Sequence, residues 1–259
     1  MKKASWLFLT TCIVGIGFSY FGGGFVKAQM ASTTGRPPVT ISTKSTSIAN
    51  NAALYMTRSY RSDGSLAQVT TEVVQPGAAT LSGAGRYNVI DVATGREFVK
   101  DTFMKTYHEV EISKRALERQ ANSPTSCESA LGKAMKCYPL EQDTFMGYRI
   151  QKATSELQNS GKTSEVWLAP DLGYLPLKQY TKIGDSIVSE IVATSIVRGE
   201  PAADLFELPA DYKKYDSPSQ FLMDGDKVRG IPASFTPEDA KKFDDIQKRK
   251  ADLISAAKQ

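Results

Sequence analysis

The sequence predicts an α+β fold that is mainly antiparallel β. Three observations carry that reading. Short runs alternate apolar and polar residues at hairpin distances, turn-forming residues separate them, and a well-capped helical pattern closes the chain. The 259 residues are 41% hydrophobic and 23% charged, which excludes a chain that is disordered, collagen-like or coiled-coil throughout and allows one or two domains.

Residues 1–28 have the pattern of an export signal. Lys2 and Lys3 precede an almost uncharged apolar run from Trp6 to Phe21, and Val26-Lys27-Ala28 suits a cleavage site before Gln29. Gly22, Gly23 and Gly24 weaken a helix where a peptidase needs extended chain. The alternative is an uncleaved N-terminal membrane anchor, since Trp6 to Val26 is long enough to cross a bilayer. Lipidation at Cys12 does not fit, because Leu9-Thr10-Thr11 lacks the small residues that precede a lipidated cysteine. Setting 1–28 aside removes Lys2, Lys3 and Lys27 and no acid. The net charge of +4 then falls to 29 basic against 28 acidic residues. No basic stripe remains to neutralise phosphates, so nucleic acid is not an expected partner, and the membrane is met only through the export signal or transiently. The expected location is periplasmic or extracellular.

Residues 29–50, rich in Ser, Thr and Pro, read as a flexible leader to the folded body. Leu54, Met56 and Tyr60 then alternate with polar residues. Asp63-Gly64 offers the positive φ angles of a two-residue hairpin, and Leu66 to Val74 returns as a strand. Residues 76–85 form a small-residue loop. A second hairpin runs from Arg86 to Lys100 around Ala93-Thr94-Gly95. Ile112, Ala116, Leu117 and Ala121 sit at helical spacing and predict a short helix.

Cys127 and Cys137 follow, the two cysteines left after export into an oxidising compartment. A bridge would contribute roughly 2–3 kcal/mol on the chain-entropy model. Ala130, Leu131, Ala134 and Met135 have helical spacing, however, and a continuous helix would hold the cysteines about 15 Å apart, too far to pair. Either Gly132 breaks this segment or the thiols stay free. The bridge is the expectation, because free exposed thiols are uncommon in exported proteins.

From Phe145 strand character returns through Tyr148 and Ile150, a turn at Asn159-Ser160-Gly161, and Glu165 to Ala169. Pro170 to Gly173 makes another turn, and Tyr174 to Lys182 is strand-like. Ile187 to Val197 also fits a helix face, but its β-branched density favours a strand with apolar residues on both faces. Glycines and prolines over 213–235 mark a hinge. Beyond it Thr236 is an N-cap, Pro237 suits the first helical position, and Glu238 and Asp239 complement the helix dipole. Phe243, Ile246, Leu253, Ile254 and Ala257 form one apolar stripe. The expected organisation is therefore a signal over 1–28, a leader over 29–50, a β-rich domain over 51–213, and a hinge with a C-terminal helix over 214–259.

No catalytic motif stands out. Ser160-Gly161-Lys162-Thr163 has Glu156 where a phosphate-binding loop needs glycine, Gly83-Ala84-Gly85 opens a strand instead of a helix, and no nucleophile elbow occurs. His108 is the one histidine, and it lacks an accompanying nucleophile motif. Two cysteines without a nearby histidine supply too few ligands for a metal, and no cofactor is implied. What remains is an apolar and aromatic inventory on strands. It fills an ordinary core or lines an apolar ligand cavity. The cavity candidates are Tyr55, Tyr60, Phe98, Phe103, Tyr148, Trp167, Leu175 and Ile191.

Glu165-Val-Trp-Leu-Ala-Pro-Asp-Leu-Gly173, with Leu175-Pro-Leu-Lys178, resembles a hairpin found in a large group of uncharacterised secreted bacterial proteins. Arg198-Gly-Glu-Pro201, with Leu205-Phe-Glu-Leu-Pro-Ala-Asp-Tyr212, resembles that group's closing signature, and Asp91 to Phe98 is similar more loosely. The group is similar to the superfamily of periplasmic outer-membrane lipoprotein carriers (LolA-like). Over residues 50–213 the resemblance implies a curved half-barrel sheet with short covering helices across its concave side and an apolar cavity between them. It carries over no catalytic residue. Two functions follow as expectations: a non-enzymatic exported protein holding a lipid or other apolar ligand, or an envelope interaction module with a filled core whose C-terminal helix binds a protein partner.

Overall fold

The computed structural model describes residues 36–48, 51–74, 85–132, 135–157, 161–230 and 236–256. The export signal, most of the 76–85 loop, Asn159, Ser160 and Ala257 lie outside the described residues.

Among the described residues, twelve strands form one sheet. Two antiparallel meanders make it. The first runs through β1 (Val39–Ser47), β2 (Ala52–Tyr60), β3 (Leu66–Val74), β4 (Arg86–Asp91), β5 (Arg96–Asp101) and β6 (Thr106–Val110). The second runs through β7 (Lys136–Phe145), β8 (Tyr148–Leu157), β9 (Lys162–Ala169), β10 (Leu175–Ile183) and β11 (Ser186–Arg198). They join where β1 pairs with β11, over Val39↔Arg198 to Ser47↔Ser189 with a bulge at Ser42/Thr43. β12 (Lys213–Lys214) adds a short parallel edge to β6, and the sheet stays open between β12 and β7. The expected class, mainly antiparallel α+β, is the class observed.

The leader expected over 29–50 is corrected by β1, which lies at the centre of the sheet. Val39, Ile41 and Thr43 are buried. The hydroxyl residues between them pair across the strands, Thr40 with Ser59 and Ser42 with Thr57, each at 3.1 Å. Serine and threonine here serve cross-strand pairing, not flexibility. The folded body accordingly begins before residue 51. The turn after β2 is also longer than expected, with Tyr60 opposite Leu66 and five residues between. Gly64 has φ +89, and a Cβ there would lie 2.5 Å from the Gln120 carbonyl oxygen, so glycine lets the next helix close on the turn.

That helix, α1 (Lys114–Ala121), is capped by Ser113, which accepts from the Ala116 amide. α2 (Cys127–Leu131) ends at Gly132 with φ +79, and the chain turns into β7. Gly132 thus resolves the conflict over the cysteines: Cys127 and Cys137 are bridged, with Cα atoms 6.1 Å apart. β7 was hidden from the sequence by Pro139, which an edge strand tolerates.

The hinge expected within 214–235 is corrected by α3 (Pro218–Val228). Ser217 caps it through the Gln220 amide, and Pro218 takes the first helical position. Phe221 is fully buried against His108, with ring centroids 4.9 Å apart. Arg86 reaches the Leu222 carbonyl at 3.2 Å and Asp226 at 3.0 Å. Asp101, with no exposed side-chain surface, pairs with Arg86 at 3.4 Å and Arg229 at 2.7 Å. α4 (Pro237–Ala256) starts as expected, its Asp239 amide donating to Thr236 Oγ1 at 3.2 Å. Its first turn is covered at the buried Ala240, but in its stripe Ile246 is 61% and Leu253 73% exposed.

Candidate ligand-binding site

Among the described residues, two recesses stand out. The first is an apolar niche of about 240 Å³ lined by Thr40, Thr57, Ser59, Ala67, Val69 and Tyr87 below and Pro201, Ala202 and Leu205 above. Its floor follows from register. Thr40, Ser59 and Ala67 lie directly opposite one another across β1, β2 and β3, as do Thr57, Val69 and Tyr87 across β2, β3 and β4. Directly opposed residues share a face, so small and hydroxyl side chains leave a shallow depression there.

The roof is the segment after β11. Phe206 anchors it in a core cluster with Ala67, Val89 and Phe98. Lys100 Nζ donates to the Asp204 and Glu207 carbonyls, both at 2.7 Å, and lies over the Tyr87 ring at 5.5 Å. Burial holds the Lys100 ammonium below its ordinary pKa, opposed by the charges of Asp204 and Glu207. The closing signature around Leu205-Phe206 is thus the strap that roofs the niche.

The second recess, about 500 Å³, lies between β6 and helices α3 and α4, and His108, Glu109, Glu111, Asp216, Asp244, Asp245, Lys248 and Lys250 are among its lining residues. Much of its charge is already committed. Asp244 accepts from Ser217 Oγ, Ser219 N and Ser219 Oγ at 2.7–3.0 Å. Glu109 is held by Lys214 and Arg96, both at 2.6 Å, and both lower its pKa. Burial lowers the His108 pKa, as does Arg86, and its Nδ1 sits 3.3 Å from the Glu109 carbonyl. The recess is a seam between elements, lined largely by charged residues. Among the described residues no group of three or more His, Cys, Asp or Glu is placed to hold a metal ion.

None of the eight cavity candidates lines either recess. Tyr60 and Leu175 are buried in one core cluster, with Tyr148 packed against it, and Phe98 lies in another. Phe103 stands on the turn after β5, 67% exposed, with the Arg229 guanidinium 5.6 Å above its ring. Ile191 faces Ser45 and Gln179 across its neighbours. Tyr55 and Trp167 fall in one cross-strand row, Lys152–Trp167–Lys178–Val192–Lys44–Tyr55. Lys178 lies 4.8 Å over Trp167, 4.9 Å over Tyr180 and 5.5 Å over Phe145. Most of the niche residues are small or hydroxyl-bearing, so an inventory of large apolar and aromatic side chains does not point to them. The available signal was the run of alternate Thr, Ser and Ala on β1 to β3 together with the closing signature.

No family model matches the chain, and no curated protein matches it. Several solved structures are similar to it. An uncharacterized conserved protein from Thermus thermophilus is 9% identical, over 70% of this chain and 90% of that one, with a TM-score of 0.44. A chain of the Pseudomonas aeruginosa MucA/MucB complex is 14% identical over 70% of this chain and 59% of its own, with a TM-score of 0.39. A LolA superfamily protein from Nitrosomonas europaea is 8% identical over 68% of this chain and 91% of its own, with a TM-score of 0.27.

Proposed function

We propose that the chain is an exported, non-enzymatic binding protein that holds a lipid or another apolar ligand in the niche under the Pro201–Phe206 strap. The observation that carries the reading is the niche itself: a recess walled by Ala67, Val69, Pro201, Ala202 and Leu205 with hydroxyls on one side. At about 240 Å³ it lies below the ~300 Å³ lower bound for drug-sized ligands, so it suits one acyl chain better than a bulky ring system. The export pattern over 1–28 supports the reading, since an exported chain would meet envelope lipids. Native mass spectrometry of the purified protein and uptake of a fluorescent acyl probe test the reading. Leu205→Trp, which fills the niche, is expected to abolish uptake with the fold intact, and uptake equal to wild type would reject it.

A second reading is an envelope interaction module, favoured by the exposed Ile246 and Leu253 on α4. Ile246→Asp with Leu253→Asp would then abolish capture of an envelope partner while leaving acyl-probe uptake unchanged.

A further inference from the structure

A buried ion without a partner loses its hydration and gains nothing in return. Most buried ions here avoid that: Asp101 sits between Arg86 and Arg229, Asp226 meets Arg86, and Lys100 meets two carbonyls. Arg36 does not. The residue is 8% exposed, and its Nε is buried with no hydrogen-bond partner. Its guanidinium lies 4.9 Å over the Tyr60 ring, which offers a quadrupole but no countercharge. Among the described residues no carboxylate pairs with it, and the preceding chain has none to give. The first acidic residue of the sequence is Asp63. Burial pulls the guanidinium pKa down from its ordinary value, opposed by Tyr60, yet an arginine keeps its proton at neutral pH.

A second orphaned group lies across Gly173 from Pro37, the residue that follows Arg36. Ser123 Oγ is buried without a partner. A Cβ on Gly173 would lie 3.4 Å from Ser123 Oγ and 3.6 Å from Pro37 Cδ, so Ser123 and the residue bonded to Arg36 flank the same turn. We propose that Arg36 anchors a binding site for one oxyanionic group, a carboxylate or a phosphate, with Ser123 Oγ as a further donor. The planar guanidinium fork matches either group. The site does not depend on the niche. Tyr60 follows Ser59 on β2 and so faces the other side of the sheet from the niche floor.

The full-length protein is titrated with inorganic phosphate and, separately, with octanoate at constant ionic strength. The Arg36 Nε–Hε resonance and the melting temperature are followed. A saturable shift of that resonance with a rise in melting temperature is expected from at least one anion, and Arg36→Met weakens the affinity at least about tenfold. A response to phosphate alone assigns a phosphate group, one to octanoate alone assigns a carboxylate, and a response to both assigns an unselective oxyanion site. If neither anion moves the resonance, the proposal fails. It fails equally if Arg36→Met keeps the response. Should Arg36→Met not fold, the wild-type resonance decides by itself.

Discussion

At Glu97, burial outweighs the two neighbours that favour its charge, Lys250 and Asn88, and pushes the carboxyl from 4.5 up to about 7. Asn88 Oδ1 is itself buried without a partner. Because the folded-state pKa is raised, the folded protein binds this proton more tightly than the unfolded chain. The stabilisation is whole below the unfolded value and is lost as pH climbs through about 7. At one pKa unit per ~1.4 kcal/mol, the loss is at most about 3.5 kcal/mol. Glu97→Gln is therefore expected to flatten the fall in melting temperature between about pH 5 and pH 8. Parallel wild-type and variant curves would count against it. Asp101 is the opposite case. Burial works to raise its pKa, but the Arg229 hydrogen bond, the Met104 amide and the charges of Arg229 and Arg86 hold it below the ordinary value. Asp101→Asn leaves those arginines without their shared counterion and should cost about 3–5 kcal/mol, read by urea unfolding. Single residues were legible where chemistry is local, as at Thr236 and at the Cys127–Cys137 pair. Aromatic type alone did not separate a core filler such as Phe98 from a surface ring such as Phe103.

Elements were legible where their signals are short-range. α4 has its cap, proline and acidic first turn within four residues, and the Arg86–Lys100 hairpin has its turn in the middle. β1 was not, because its Ser and Thr are polar in composition and acquire meaning only opposite β2 and β11. The prolines and glycines around α3 suggest a hinge, although Pro218 sits where a helix accepts proline. The strap over 201–208 belongs to the same class: its role depends on Lys100, about a hundred positions earlier in the chain. Lys100→Met keeps the apolar stem but leaves the Asp204 and Glu207 carbonyls without their donor, at roughly 2–3 kcal/mol. Hydrogen exchange is expected to speed up first over 201–208. Uniform acceleration across the sheet would mean that the strap is not held by this contact. Reducing the disulfide that ties α2 to β7 should cost roughly 2–3 kcal/mol, visible as a lower melting temperature in dithiothreitol.

At the scale of the molecule, the two meanders share one seam. β1 to β6 are successive neighbours, β7 to β11 are successive neighbours, and β1 with β11 carries the sheet across. Core residues straddle that seam: Val39, Ile41 and Tyr60 from the first meander pack with Leu175, Leu177 and Ala193 from the second. A strand with partners on both sides cannot accept proline without losing a ladder hydrogen bond, so Ile41→Pro should cost about 3 kcal/mol or more. Against the 5–15 kcal/mol typical of a domain, that is a large share of the whole. The seam makes a specific prediction about how the loss is distributed. Trp167 on β9 reports the second meander, and the amides of β4 and β5 report the first. In the Ile41→Pro variant both reporters should shift to lower urea together, in one transition, because each half loses the face it packs against. If Trp167 fluorescence unfolded early while β4 and β5 kept their protection, the halves would be independent and the β1–β11 seam would not couple them. If neither moved, residues 39–47 would be dispensable to the fold, as the leader reading of 29–50 requires.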